Sequence, residues 1–206
     1  LPNEAFRGVL QNLLEMQRQD RKENQLLYYR PASDRARKVH FSRAKYVGVS
    51  GGNRAAKTDT AMAHFAMLAT GCFPEHDEEL RAEMEAQFKG PINLRTVVES
   101  FTTTLYPIIL PKLKFSSWSG ADEQGGERGH WGWIPKTALI DGSWDRSWVD
   151  KIKTLKLICR DPDTGIELGH SQWQFLSKDQ DPDDFASGTF HLIHHDEPPL
   201  FAQWRE

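Results

Sequence analysis

The sequence predicts an α/β domain whose mostly parallel sheet is flanked by helices, and three stretches lead to this prediction. An apolar and β-branched run over 44–50 ends at two glycines and is followed by a helical stretch that ends at Gly71, which gives the order strand, turn, helix. Two further apolar runs, in 94–100 and 189–199, are separated by helical sequence and predict more strands. This order of elements is typical of doubly wound α/β proteins.

The first part of the chain is predicted to be an amphipathic helix over 3–24. The residues that recur at spacings of three and four, and so share one side of this helix, are Phe6, Leu10, Leu13, Leu14 and Gln17. We interpret this stripe as a packing face. The chain of 206 residues is predicted to form a single domain, in which 1–26 is an N-terminal helical segment and 27–206 is the core.

Turn and breaker residues predict the remaining elements. A helix over 101–113 is expected to be interrupted or ended by Pro107 and Pro111. The glycine-rich stretch 116–130 predicts an exposed loop. The alternating sequence on either side of "DPDTG" within 153–177 predicts a β-hairpin or meander inserted into the sheet.

Charge is distributed unevenly along the chain. The net charge of −3 argues against a surface that coats nucleic acid, but residues 1–45 contain ten Lys and Arg against five Asp and Glu. Most of this positive charge lies in 30–45, and a phosphate-binding face and a solvated face are equally good interpretations of it. Two cysteines, Cys72 and Cys159, predict reduced thiols in a cytosolic setting. Neither a basic leader nor an apolar run of about 20 residues is present, which predicts a soluble protein.

The stretch "GGNRAAKT", residues 51–58, has the pattern of a phosphate-binding loop. In such a loop, backbone N–H groups and the start of the next helix surround phosphate oxygens, a lysine neutralises them and a Ser or Thr hydroxyl holds Mg²⁺. The first glycine, Lys57 and Thr58 fit this pattern, whereas Ala56 stands where the pattern has its second glycine. If that position is left-handed, the alanine costs about 1 kcal/mol, which a tight triphosphate complex can absorb.

The stretch "HLIHHDEPP" has the pattern of a second nucleotide motif. An apolar strand would deliver Asp196 to the Mg²⁺ shell and place Glu197 beside it to polarise the attacking water. Adjacent residues of a strand point to different sides, which suits two different roles. An acidic pair before two prolines could instead simply end a strand, but the occurrence of both motifs in this order favours a nucleotide site.

Two other groups of residues are interpreted as structural. No third ligand at a suitable spacing accompanies the histidines of the last motif, so zinc is discounted and packing or hydrogen bonding is expected for His191, His194 and His195. The tryptophans that follow the glycine-rich stretch could stack on a partner or cover the sheet, and the second interpretation is preferred; they are Trp131, Trp133, Trp144 and Trp148.

Taken together, "GGNRAAKT" and the downstream "WQFLSKDQDPDDFASGTFHLIHHDEPP" resemble the ATPase domain of the large terminase subunit of tailed bacteriophages. In that family the loop is commonly "GGNRSGKT", and the second motif follows a strand, a polar Asp-Gln stretch and a Phe-x-Gly element. The positions that fall into the family's order are Phe175, Ser177, Asp179, Gln180, Phe185, Gly188, Asp196, Glu197 and Pro198. The resemblance extends from about residue 27 to the end and is specific at the two motifs.

The resemblance implies a P-loop NTPase fold of the additional-catalytic-glutamate type, and a motor that uses ATP and Mg²⁺ to package double-stranded DNA. Lys57 would contact the β- and γ-phosphates, Thr58 and Asp196 would hold Mg²⁺, and Glu197 would be the catalytic carboxylate. Arg54 matches an arginine proposed to sense or stabilise the γ-phosphate. The loop residues expected at the nucleotide are Gly51, Gly52, Asn53, Arg54, Ala55, Ala56, Lys57 and Thr58.

The resemblance also implies partners and a location. They are double-stranded DNA, the portal protein, the small terminase subunit and a ring of identical copies, in the cytoplasm of the infected bacterial host and without a membrane. Tyr29, with Tyr28 and Pro31, falls where the family contacts adenine, although the glutamine that usually follows is missing. Arg128 and Arg146 are candidates for an arginine supplied to a neighbouring subunit, although a solvated role is the preferred interpretation of each.

This sequence departs from the family's pattern in two further respects, and two alternative functions stand beside the terminase interpretation. Lys57 and Asp196 are 139 positions apart, a longer separation than the family leads us to expect, and we assign the excess to the region 116–150. The family's nuclease domain is not in this sequence, so a longer parent protein, also an endonuclease, is expected. The alternatives are a helicase-like or other DNA-translocating P-loop ATPase, and a nucleotide-binding scaffold domain whose loop has decayed.

Overall fold

The computed structural model describes residues 2–52, 55–117, 129–181, 185 and 188–197. Helices and a five-stranded sheet make up this part of the chain, which confirms the predicted α/β class. The α-helices are α1 (Pro2–Glu23), α2 (Asp34–His40), α3 (Lys57–Thr70), α4 (Glu78–Gln87), α5 (Leu110–Leu113) and α6 (Trp144–Ser147). The strands are β1 (Asn93–Val98), β2 (Ser116–Ser117), β3 (Gly129–His130), β4 (Trp148–Val149), β5 (Thr154–Arg160), β6 (Glu167–Ser177) and β7 (Leu192–His195).

The main sheet is mixed, with strand order β4-β5-β6-β1-β7, and β2 and β3 form a separate two-stranded ribbon. β1 lies between β6 and β7 and is parallel to both, so that Leu94 is opposite Trp173 on one side and Leu192 on the other. β5 is antiparallel to β6, and β4 is antiparallel to β5. The prediction of a mostly parallel sheet is therefore wrong, because strands joined by a tight turn run antiparallel and both strands of the hairpin belong to the main sheet.

The hairpin itself was predicted and is confirmed. Its turn follows Asp161, whose carboxylate accepts hydrogen bonds from the backbone N–H of Asp163 (3.2 Å) and of Thr164 (2.8 Å). The N–H of Gly165, at a φ of +69°, donates to the carbonyl of Asp161 (2.8 Å) and closes the turn. The short polar side chain therefore supplies the local hydrogen bonds that reverse the chain between β5 and β6.

The stretch 44–50 differs most from the sequence prediction. It forms no strand and pairs with no strand in the described part of the chain. Tyr46, Val47 and Val49 are 71, 48 and 47% exposed, so the predicted buried strand before the glycines is absent. The reason is that β-branched and aromatic residues favour a strand only where a neighbouring strand and a packed face complete it. β7, the last strand of the main sheet among the described residues, pairs only with β1.

The predicted N-terminal helix is confirmed as α1, but its apolar stripe is exposed. Phe6, Leu10 and Leu13 are 67, 46 and 54% exposed. The contacts that attach α1 to the rest of the chain lie at its C-terminal end, where Asp20 accepts from Tyr28 Oη (2.5 Å) and the carbonyl of Lys22 accepts from the N–H of Trp131 (2.8 Å). The stripe is therefore not a packing face within the described residues.

The helical sequence with two prolines continues through both of them. Phe101–Ile109 forms a π-helix that contains Pro107, and α5 follows directly with Pro111 in its first turn. Pro107 has no N–H to donate, and the widened turn of the π-helix accommodates it. Pro111 lies in the first turn of α5, where no N–H donor is required. Ser100 caps the start of the π-helix, because its hydroxyl accepts from the N–H of Thr103 (3.1 Å).

The core lies between the sheet and α3. Nine of the fourteen residues of α3 are buried, and Trp173 and Phe175 of β6 are fully covered. Trp173 also donates through Nε1 to the hydroxyl of Thr96 (2.9 Å), which satisfies its polar atom inside the core. The four tryptophans expected to cover the sheet are partly buried against this core. Trp148 contacts Phe175 of β6, as that interpretation requires, whereas Trp133 packs against Tyr29.

Two other sequence expectations concern the setting of the protein. Among the described residues, no helix combines the length and the apolar character that a membrane crossing requires. Cys72 and Cys159 are free thiols, and burial raises the pKa of Cys72 to about 12 and that of Cys159 to about 11. Both cysteines are therefore uncharged and chemically quiet at neutral pH.

We predict that Gly71 cannot be replaced by alanine without a loss of stability. Its φ is +75°, and a Cβ added there would lie 2.0 Å from the carbonyl oxygen of Arg160. We expect Gly71→Ala to lower the free energy of unfolding by about 1 kcal/mol for the backbone conformation and by a further 1–3 kcal/mol or so for the steric overlap. Denaturant unfolding of the parent and the variant measures this difference.

Gly90→Ala is the matched control, because Gly90 has a φ of +84° but nothing lies within 4 Å of an added Cβ. It should lose only the backbone part, about 1 kcal/mol. Equal losses in the two variants would contradict a steric role for Gly71.

Candidate functional site

One hydrogen bond joins the two sequence motifs. The hydroxyl of Thr58, in the first turn of α3, donates to Oδ1 of Asp196, which follows β7, over 2.9 Å. The backbone N–H of Asp196 donates to the carbonyl of Val97 (3.0 Å), so the ladder between β1 and β7 continues to this residue and fixes its position. The structure thus brings together two residues that are 138 positions apart in the sequence.

The glycine-rich loop precedes α3 and lies at the surface. Gly51 and Gly52 are exposed, and the ammonium of Lys57 donates to the carbonyl oxygens of both, at 3.1 Å for Gly52. Asn53 and Arg54 lie outside the described residues. Ala55 is exposed, and its N–H donates to the carbonyl of Gly52 (3.3 Å). The lysine is therefore held within the loop that the sequence assigned to phosphates.

Ala56 adopts the left-handed conformation, with φ 54° and ψ 21°. This residue immediately precedes α3 and supplies no side-chain cap, although its carbonyl accepts from both the N–H and the hydroxyl of Thr60, at 2.9 and 2.8 Å. An L-residue in this conformation brings its Cβ close to the following carbonyl oxygen. The strain that the sequence predicted for an alanine at this position is therefore present.

Asp196 and Glu197 lie in different surroundings. Asp196 is half-buried against α3, whereas Glu197 is exposed. This agrees with the expectation that neighbouring residues at the end of a strand point to different sides. Asp196 can hold a cation beside Thr58, while Glu197 remains open to solvent.

The ends of β1 and β6 bring a further charged pair to the same edge of the sheet. The ammonium of Lys178 lies 2.6 Å from Oε2 of Glu99, and the N–H of Lys178 donates to the carbonyl of Val98 (3.0 Å). Sequence reasoning did not single out this pair, although the available signal was a charged residue near the end of one predicted strand and another directly after a second one. Gln180, which the resemblance matched, accepts from the N–H of Ser177 (2.8 Å) and shapes the turn after β6.

Oxygen donors suited to Mg²⁺ are present, but the protein supplies few of them. Thr58 and Asp196 offer a hydroxyl and a carboxylate, which are ligand types that Mg²⁺ accepts while it keeps several waters. Within the described ranges, no group of three His, Cys, Asp or Glu side chains is arranged to hold a metal ion. The residues thus fit a magnesium ion bound together with phosphate oxygens.

Two histidines of the last motif, His191 and His194, make structural contacts. His191 Nδ1 accepts from the backbone N–H of Asn93 (3.0 Å) and ties the start of β7 to β1, which confirms the hydrogen-bonding expectation for this residue. His194 packs edge-on against Phe65 of α3, and burial lowers the pKa of His194 to about 4 and also lowers that of His195. All of these contacts keep β7 in place.

Tyr29, predicted at the adenine, lies in the core and is 4% exposed. Its hydroxyl is 2.8 Å from Nε2 of His40, and Nδ1 of His40 is 3.0 Å from Nδ1 of His64. Its ring meets that of Trp133 edge to face at 5.1 Å. The assignment of Tyr29 to adenine stays a prediction, and this burial does not support it.

The basic stretch 30–45 is partly neutralised within the chain. Arg37 pairs with Asp77 and Glu79, and Arg43 pairs with Glu83 (2.9 Å). Exposed charges remain at Arg30, Arg35 and Lys38. These exposed cations are compatible with both interpretations of the stretch, a phosphate-binding face and a solvated face.

Neither candidate for a shared arginine is assigned a role by the structure. Arg146 pairs with Asp141 on the same chain, and both side chains are exposed. Arg128 lies outside the described residues.

Comparisons of this chain with protein-family models, with curated proteins and with solved structures found no match.

We predict that Ala56→Gly raises the free energy of unfolding by about 1 kcal/mol, because glycine adopts the left-handed conformation without strain. Ala55→Gly is the matched control. It changes the next residue of the same loop, where φ is not positive, and should bring no gain. Denaturant unfolding distinguishes the two, and an equal gain in both variants would rule out strain at Ala56.

We also predict that stability falls as the pH is lowered, and that the buried histidine pair, His40 and His64, contributes to this fall alongside the other buried histidines. Burial lowers the pKa of His40 to about 3 and that of His64 to about 4, so the folded chain takes up these protons at lower pH than the unfolded chain does. The free energy of unfolding should keep its full value above about pH 6.5 and fall by about 2 kcal/mol per histidine by pH 5.

Unfolding of the parent and of His64→Gln between pH 7.5 and 5 tests this pH dependence. The variant should show a smaller loss than the parent. His170→Gln, which changes an exposed histidine, should leave the loss as it is in the parent. If His64→Gln retained the full pH dependence, the assignment to the pair would be wrong.

Proposed function

We propose that this chain is the ATP-hydrolysing motor domain of a viral large terminase subunit, with a P-loop NTPase fold of the additional-catalytic-glutamate type. The observation that supports the proposal is the 2.9 Å hydrogen bond between Thr58 and Asp196. Each residue comes from a motif that the sequence assigned independently to Mg²⁺. Their contact is the arrangement that a nucleotide site requires, and it supports the assignment of both motifs to one site.

The loop and the start of α3 bind the nucleotide in this proposal. Backbone N–H groups of the loop and the N-terminus of α3 face the phosphates, and Lys57 leaves its carbonyl partners to neutralise the phosphate charge. Arg54 adds a second cation at the γ-phosphate. Thr58 and Asp196 hold Mg²⁺, which when bound polarises the phosphate oxygens.

Glu197 activates water in the hydrolysis step. The water oxygen forms a bond to the γ-phosphorus, the bond from that phosphorus to the bridging oxygen breaks, and ADP leaves with the electron pair. Glu197 accepts the proton from the water, a role that suits an exposed carboxylate next to the cation ligand Asp196. The products are ADP and inorganic phosphate.

The biological setting comes from the terminase resemblance. A motor of this kind drives double-stranded DNA into a procapsid and works as a ring of identical copies on the portal protein, with the small terminase subunit as a partner. Its place is the cytoplasm of the infected bacterial host. The exposed cations of 30–45 are one surface on which DNA or the portal could be contacted.

One observation favours a second candidate, a nucleotide-binding scaffold domain with a decayed loop. The stretch 44–50 is exposed and forms no strand in the described structure, so the loop is not supported by a strand on its N-terminal side. Such a loop could bind nucleotide without hydrolysing it, or fail to bind it. Binding and turnover therefore have to be measured separately.

We predict that the chain binds Mg-ATP and that Lys57→Ala weakens binding by about 10- to 100-fold, because a charge-assisted contact to phosphate is lost. Glu197→Gln should bind Mg-ATP as the parent does, because it removes only the proton acceptor. Its rate of phosphate release should be lower than that of the parent by a factor of about 100 or more. Titration calorimetry measures binding, and a phosphate-release assay measures turnover.

Two exposed residues away from the site provide matched controls. Lys89→Ala, between α4 and β1, should leave binding unchanged, and Glu78→Gln on α4 should leave turnover unchanged. Binding without turnover in the parent would favour the scaffold candidate. No binding of Mg-ATP by the parent would exclude a working site in this chain alone.

A further inference from the structure

Asp59 connects the start of α3 to two other parts of the chain. It directly follows Thr58, and its Oδ1 accepts from the indole Nε1 of Trp133 (3.1 Å) and from the ammonium of Lys112 (3.3 Å). Trp133 lies after β3, and Lys112 belongs to α5. One carboxylate in the first turn of α3 is therefore held by donors from two separate elements.

Three hydrogen bonds from three consecutive residues fix the backbone around Trp133 to α5 and the residue that follows it. The N–H groups of Gly132, Trp133 and Ile134 donate to carbonyls at the end of this helical region, over 3.0, 2.8 and 3.1 Å. A Cβ at Gly132 would lie 2.3 Å from the carbonyl oxygen of Lys112, so this close approach requires a glycine. The indole donor therefore reaches Asp59 from a rigid support.

The ring of Trp133 also packs against the ring of Tyr29. The two rings meet at 5.1 Å and 87°, and the Tyr29 hydroxyl is itself bonded to His40. Tyr29 is 4% exposed, and Trp133 is half-buried. Tyr29 thus contacts the residue that holds Asp59.

Support of this kind matters because the first turn of α3 is poorly held on its N-terminal side. Ala56 is strained and supplies no side-chain cap, Gly51 and Gly52 are exposed, and the stretch 44–50 pairs with no described strand. The lateral contacts of Thr58 and Asp59 remain. A favourable interaction of the Asp59 charge with the helix dipole would not by itself orient the turn, because it has no preferred direction around the helix.

We propose that Asp59 and Trp133 are positioning residues of the candidate site. By holding the first turn of α3 against the 131–134 segment, they set the orientation of Lys57 and Thr58 relative to Asp196. This inference rests on the proposed function for its effect on nucleotide, but the positioning itself is a property of the chain without nucleotide. Tyr29 acts on the site through Trp133 in this arrangement.

The decisive variant is Trp133→Phe, which keeps an aromatic ring and removes the indole N–H. Its matched control is Trp148→Phe, because Trp148 Nε1 donates to Asp150 Oδ1 over the same 3.1 Å at a distant edge of the sheet. The first measurement is hydrogen exchange of the amides of 57–66 in the nucleotide-free chain. We expect exchange about fivefold faster in Trp133→Phe, which corresponds to one hydrogen bond of ordinary strength, and unchanged in Trp148→Phe.

The second measurement is the dissociation constant for Mg-ATP. We expect it to rise about fivefold or more in Trp133→Phe and to stay at the parent value in Trp148→Phe. Asp59→Asn still accepts from the indole but loses the charge that attracts Lys112, so it should lie between the parent and Asp59→Ala in both measurements. Thermal unfolding of each variant records any general loss of stability, and this measurement separates that loss from a positioning effect.

Each result bears on one proposal. Unchanged exchange over 57–66 in Trp133→Phe overturns the positioning role, whether or not nucleotide binds. Faster exchange with an unchanged dissociation constant also overturns it, since the contact would then be structural only. Failure of the parent to bind Mg-ATP counts against the proposed function instead, and the exchange comparison still decides whether Asp59 and Trp133 hold the turn.

Discussion

β1 pairs in parallel with β6 and β7, and the position of the candidate site depends on this pairing. Parallel strands that are neighbours in a sheet end at the same edge, so the residues that follow them are brought together however far apart they are in sequence. Asp196, Lys178 and Glu99 reach one edge in this way. α3 begins at that edge and adds Thr58, so the two motifs meet where the sheet topology places them.

The stability of the loop region comes from the body of α3 and its lateral contacts rather than from the loop. Most of α3 is buried against the sheet, whereas Gly51 and Gly52 are exposed and Ala56 holds a conformation that costs an alanine energy. A strained residue persists only where the surrounding structure determines its conformation. Here the buried helix and the contacts of Thr58 and Asp59 do so, which explains how the chain tolerates an alanine at this position.

Charge and polar groups in the N-terminal half serve mainly to assemble the domain. Arg37 and Arg43 pair with carboxylates of α4 and its cap, so part of a basic stretch that suggests a nucleic-acid contact instead joins α2 to α4. Tyr29, His40 and His64 form a chain of hydrogen bonds between α2, α3 and the residues after α1. Buried polar groups of this kind fix one arrangement of helices, because any other arrangement would leave them without partners.

The sequence by itself determined the α/β class, α1, the helix that ends at Gly71, the hairpin around Asp161 and the two motifs. These features depend on local periodicity, turn residues and caps, which can be recognised from residues that are close together in the sequence. Only the tertiary structure decided that the sheet is mixed, that the stretch 44–50 forms no strand, and that Tyr29 is buried. It also decided that Thr58 contacts Asp196. Strand pairing and burial depend on residues distant in sequence, so propensity alone cannot set them.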